Sequence, residues 1–231
     1  MTEFRNQYFH SLFDRGDALS ISSIACYDCE FSNCALSLTK DINRRSMVSD
    51  VRLENCIVRA SSIGPSTLRR VYIDGLTTDS LLIIWGAVFD QVVFSGKVGK
   101  IKINSHVHHV DQSEALQRPF NEFRQNFYEK VDWAIDISQA KFRLLEIRGI
   151  PSRLIRRDPS SQMVVTRVRA MNPDWRSRIS SDNKHWPFVI DMFLATDEAD
   201  RVLVAPLAGP KKQIEKLMKD LYELRDLGVV E

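Results

Sequence analysis

The densest set of potential metal ligands in this sequence is His106-Val-His108-His109-Val-Asp111. On an extended strand His106 and His108 point to one side, so two imidazoles could share a metal with Asp111 completing the set. A histidine beside an acid is also a general base, which makes His106, His108 and His109 the core of an alternative reading, a metal-assisted hydrolase. No further ligand stands at a recognisable spacing, and a metal site needs a closed shell. The segment therefore reads first as a polar exit from a strand, with no metal and no cofactor. The four cysteines, Cys26, Cys29, Cys34 and Cys56, all fall in the first quarter of the chain. A single CxxC pair is weak ground for zinc, whereas a free cysteine behaves as a small buried hydrophobe, so these thiols are expected to pack in a core.

A second chemical signal is charge. Between Lys141 and Arg178 ten basic residues stand against three acidic ones, inside a chain whose net charge is only +2. Arg148, Arg153, Arg156, Arg157, Arg167, Arg169, Arg176 and Arg178, with Trp175 among them, form a candidate binding patch for an acidic protein or, as an alternative, nucleic acid. Residues 179–231 carry seven basic and ten acidic side chains, which offers the same arginines intramolecular partners. Neither GxGxxG nor GxxxxGK[ST] nor GxSxG occurs, so nucleotide cradles and a nucleophile elbow are absent and no catalytic residue is nominated.

The elements that must position these groups show up as a repeat. Cys29-Glu-Phe31-Ser-Asn-Cys34, Val51-Arg-Leu53-Glu-Asn-Cys56, Val71-Tyr-Ile73-Asp-Gly-Leu76 and Val92-Val-Phe94-Ser-Gly-Lys97 align block on block at a period near twenty-one. A two-residue alternation inside such a period predicts short strands stacked as coils around a shared interior. A finer period of five runs through Cys29, Phe31, Cys34 and Leu36, and again through Ile135, Ile137, Ala140, Phe142, Leu145, Ile147 and Ile150. These stretches, CEFSNCALS and IDISQAKFRLLEIRGI, resemble the pentapeptide-repeat family, over about residues 19–105 and 134–157. The resemblance implies a right-handed β-helix of square coils and non-catalytic binding. Some members mimic DNA with an acidic surface, from which this chain departs. An antiparallel β-sandwich is the plainer alternative.

Helices are expected around this stack. Leu116, Phe120, Phe123, Phe127 and Val131 form one helix face between Ser113 and Trp133, with Pro119 in an early turn or at a kink. Ile214, Leu217, Met218, Leu221 and Leu224 form another, between Pro210 and Gly228. Trp186–Leu194 reads as a helix and residues 201–205 as a strand. The fold class is thus mainly β, a right-handed β-helix solenoid with a helical insertion and an α/β C-terminal cap. Coils occupy residues 1–110 and 134–160, the insertion 111–133 and the cap 161–231.

Composition agrees with an ordinary globular chain. Of 231 residues, 44% are hydrophobic and 27% charged, which excludes a disordered polymer. Glycine and proline total only 17, where average usage of roughly 12% gives about 28. The longest apolar run, Leu81–Phe89, falls short of the roughly twenty residues of a membrane span, and no secretory leader is evident. The expectation is a cytoplasmic, non-enzymatic protein that binds another protein through a rigid solenoid surface, such as an immunity protein neutralising a toxin, with no membrane role.

Overall fold

A computed structural model describes residues 1–108, 111 and 113–231. The strands of its main sheet are β1 (Thr2–Arg5), β2 (Tyr8–His10), β3 (Ser20–Tyr27), β4 (Glu30–Ser32), β5 (Ala35–Leu36) and β6 (Ser46–Arg59). They continue with β7 (Ser62–Ile63), β8 (Ser66–Trp85), β9 (Val88–Asp90), β10 (Val92–Asn104), β11 (Ile135–Ile147) and β12 (Ile155–Arg156). The pairings are parallel, along the order β1-β3-β6-β8-β10-β11-β12, so the chain is mainly β with long parallel strands in one sheet.

Register shows how the sequence makes this sheet. Thr2 pairs with Ile24, Ile24 with Val51, Val51 with Val71 and Tyr72 with Val93, so each partner lies between twenty and twenty-seven positions further along the chain. Twenty extended residues would span roughly 66 Å, so a parallel partner that far onward requires the chain to bend back within every such length. The bends sit at left-handed residues. Ser23, Asp28 and Asn33 are five apart, as are Asp50, Asn55 and Ala60, and Gly86, Gln91 and Gly96. They stack, for the Asn6 N–H donates to Tyr27 O at 3.0 Å and the Asp28 N–H to Glu54 O at 2.9 Å. A left-handed conformation costs an ordinary L-residue roughly 1–2 kcal/mol, least where a short polar side chain can bond locally. Corners made from Asn, Asp and Ser explain why so many turns use so few glycines.

One sequence expectation needs correction. The segment around Cys29 does not align with the one at Val51, because the loop holding the 3-10 turn Ile42–Arg44 lengthens that turn of chain. Cys29 lies instead beside Cys56, with the Ile57 N–H bonded to Cys29 O, and Phe31 pairs with Val58 rather than Leu53. The sheet starts at β1 and β2, which pair with β3 and β4, ahead of the residues that carry the family resemblance and within the 1–110 span expected to be strands.

The alternating inward residues form one core through Cys26, Ile73 and Phe94, each at most 8% exposed. Burying a side chain of Leu, Ile or Phe size contributes about 1.5–3 kcal/mol. Helix α1 (Glu114–Tyr128) is inserted between β10 and β11, which still pair directly, Val92 with Ile135 and Ile101 with Leu145. Phe120 and Tyr128 are buried, Phe123 and Phe127 pack on the sheet core, and the Arg45 guanidinium lies 3.4 Å from the Phe123 ring centre. Pro119 stands inside α1, where its missing N–H deprives the Ala115 carbonyl of a helix bond.

The C-terminal unit comprises β13 (Gln162–Thr166), α2 (Arg167–Met171), α3 (Asp174–Arg178), α4 (His185–Leu194), β14 (Asp200–Val204) and α5 (Lys211–Asp226). β13 and β14 are antiparallel and bury both faces. Val164, Val202 and Val204 join the main core, while Met163, Val165 and Leu203 meet Trp186, Phe193 and Leu221 in a second one. This two-period alternation fastens the unit over the far edge of the sheet. Among the described residues no helix is long and apolar enough to cross a membrane.

Candidate functional site

The outward side of β11 and one face of α4 enclose a cleft of about 290 Å³. On β11 Phe142, Leu145 and Ile147 point into the core, which turns Arg143, Leu144 and Glu146 outward. On α4 Trp186, Ile190 and Phe193 are buried, so Phe188 and Met192, four residues apart, share the opposite face. Leu144, Phe188 and Met192 remain 42%, 63% and 42% exposed, a group of large apolar side chains at the mouth of one hollow.

Basic groups rim it. Glu146 binds Lys102 at 2.9 Å and Arg148 at 2.5 Å. Burial pushes the Glu146 carboxyl up, but these two cations outweigh it and hold the group below its ordinary range. Arg201, 4% exposed, is paired with Glu198 and forms part of the wall. Arg143 is exposed and makes no ion pair among the described residues, leaving a guanidinium free to meet an anionic group beside the apolar patch.

Of the arginines singled out by the sequence, Arg148 lines this cleft. The others have separate positions. Arg153 sits on a 3-10 turn, Arg156 lies 4.1 Å from the Trp133 ring centre, and Arg157 donates to Gln162 O at 2.9 Å. Arg167 donates to the carbonyls of Glu198, Leu194 and Thr196, tying the α4–β14 connection to the start of α2. Arg169 pairs with Glu231 at 2.7 Å and Arg176 with Asp191 at 2.5 Å. Arg169 and Arg178 border a second hollow of about 260 Å³. Trp175, expected on the surface among them, is 3% exposed and donates its indole N–H to Ala170 O, because its ring fills the second core.

The histidine segment is held by local bonds. The His106 imidazole is pushed down by burial and by nearby Arg148 and Arg124. His108 Nδ1 accepts the Asp111 N–H at 3.0 Å. The Asp111 carboxylate accepts from Ser113 at 2.8 Å and from Lys40 at 3.2 Å, which hold its carboxyl down to about 2. His109 lies outside the described residues. Among the described residues no three His, Cys, Asp or Glu side chains gather as a metal-holding group. Cys26, Cys29 and Cys56 are buried, Cys34 half-buried, and each of Cys29, Cys34 and Cys56 donates its thiol to backbone carbonyls 3.4–3.6 Å away. Burial, with Cys29 and Cys56 alongside, pushes the Cys26 thiol up to about 12.

Sequence reasoning missed the cleft. Its one available signal was the nearly unbroken apolar run of α4, whose residues cannot all be buried on a short surface helix. Comparison with protein-family models, with curated proteins and with solved structures finds no match for this chain.

Proposed function

We propose that this chain is a non-enzymatic protein-binding module that receives a partner segment in the cleft between β11 and α4. The observation that carries the reading is the group Leu144, Phe188 and Met192, exposed together beside Arg143, which has no ion-pair partner among the described residues. Large apolar side chains clustered on a surface and rimmed by polar groups mark interaction sites. The basic rim favours a partner segment that combines apolar anchors with Asp or Glu. The scaffold reading that goes with it is a right-handed β-helix related to pentapeptide repeats. Left-handed corners spaced by five and the near-constant step between parallel partners from β6 to β10 support it.

The test is affinity capture from the native host, with the retained protein identified by mass spectrometry. The expected result is a stoichiometric protein bound by the wild type and lost from both Phe188→Asp and Arg143→Glu. A partner retained equally by both variants would reject the cleft. Salt-sensitive nucleic acid retention without protein would favour the basic residues as an RNA or DNA surface instead.

A further inference from the structure

The two edges of the main sheet differ. At the far edge, Gln162 Nε2 donates to Ile137 O at 2.9 Å and the Ala208 N–H to Phe142 O at 3.0 Å, so β11 is covered by the C-terminal unit. At the near edge β1 pairs with β3 and β2 with β4, leaving one side of each without a strand partner among the described residues. An unpaired strand edge is a template for another strand.

The core is also unfinished there. Phe4 and Phe9 are the first inward rings, 5.5 Å apart edge to face, with Phe9 stacked on Phe31 at 5.0 Å. Both are only partly buried, whereas Phe94 and Phe142 farther along are at most 2% exposed. Tyr8, Leu12 and Phe13 stand 62%, 55% and 43% exposed at the same end.

The charge pattern of β1 is self-complementary. Glu3 and Arg5 flank Phe4 and, two residues apart, share one face of the strand, where they pair with each other at 3.0 Å and stay exposed. An antiparallel pairing about a two-fold axis through Phe4 sets Glu3 opposite Arg5 of the second copy, twice per interface. Because the far edge is covered, head-to-tail stacking has no second surface, and only an isologous, closed contact uses the open one.

We infer that two copies of this chain associate end to end through antiparallel pairing of their β1 edges, covering Phe4, Phe9 and the neighbouring apolar residues. Sedimentation equilibrium across a concentration series should show a monomer–dimer equilibrium for the wild type. Glu3→Lys breaks the Glu3–Arg5 pair within each strand, replaces both cross-strand ion pairs by like-charge pairs, and should raise the dimer dissociation constant about tenfold or more. Adding Arg5→Glu to that variant restores opposite charges and should return the constant toward the wild-type value. Both side chains are exposed, so unchanged circular dichroism will show that the variants fold. The inference is overturned by a monomer at every concentration to about 100 μM, by species larger than a dimer, or by a charge-swapped variant that dimerises no better than Glu3→Lys.

Discussion

Ser46 donates its hydroxyl to the carboxylate of Asp14 at 2.5 Å, joining residues 32 apart in sequence at a corner where they are 1% and 5% exposed. Asp14 also accepts the N–H groups of Gly16, Asp17 and Ser37 at 3.1, 2.9 and 2.8 Å. Ser37 in turn donates its hydroxyl to Pro65 O, so the Asp14 carboxylate and the Ser37 hydroxyl together link three passes of the chain.

Replacing Asp14 by Ala strips four donors of their acceptor, and those of Gly16, Ser37 and Ser46 are buried; each buried unsatisfied donor costs about 1–3 kcal/mol where water cannot enter. Urea denaturation should show a loss of about 3 kcal/mol or more. Burial pushes the Asp14 carboxyl up, but the bonds from Ser46, Asp17, Ser37 and Gly16 outweigh it and place it below the ordinary value of 3.8. Its contribution is therefore complete above that value and lost as pH falls through the lower folded one. Stability measured from pH 6 downward should lose part of its acid dependence in Asp14→Ala; an identical slope would show that Asp14 is not a source of it.

The Tyr128 hydroxyl, fully buried on α1, accepts the Phe89 N–H at 3.3 Å, and burial pushes its pKa well above that of a free phenol. Tyr128→Phe should destabilise by about 1–2 kcal/mol and speed hydrogen exchange at the Phe89 amide. Unchanged exchange would mean that α1 does not hold this strand end through the hydroxyl.

Ala60 occupies a left-handed corner at φ 44°, and Gly75 one at φ 68° with Asn55 Oδ1 only 3.0 Å from where a Cβ would lie. Ala60→Gly should stabilise by about 0.5–1 kcal/mol, and Gly75→Ala should destabilise by about 1–2 kcal/mol. Thermal melts of the pair must move in opposite directions.

In the native state at pH 8, a thiol reagent should label Cys34 first. Cys26, Cys29 and Cys56 should react only on the timescale of opening, because burial makes them inaccessible and, at Cys26, keeps the thiol protonated. Equal labelling of all four before unfolding would contradict the packing of this end.

Much of the sheet was legible because buried strand positions repeat. Val51 lies beside Val71 and Ile73 beside Phe94 as the residues suggest, since those turns of chain differ by a single residue and keep the same faces inward. The loop around Ile42–Arg44, legible as a bulging corner, still broke the pairing of Cys29, because added residues shift every partner across them by their own number. Phe4 and Phe9 were missed for a related reason, as a terminal turn has only one neighbour to match.

Chain-local chemistry alone determined the alternation that turns residues inward, the Asn, Asp and Ser corners that replace glycine, and helices α1, α4 and α5. These depend on near neighbours and on a period. Only the tertiary structure decided which arginines are spent on internal partners such as Glu231 and Asp191, and that Trp175 is buried. It alone brought Leu144 and Arg143 to face Phe188 and Met192 from a distant part of the chain. A cleft is made by surfaces that elements leave uncovered when they pack, and that remainder is written in no single stretch of sequence.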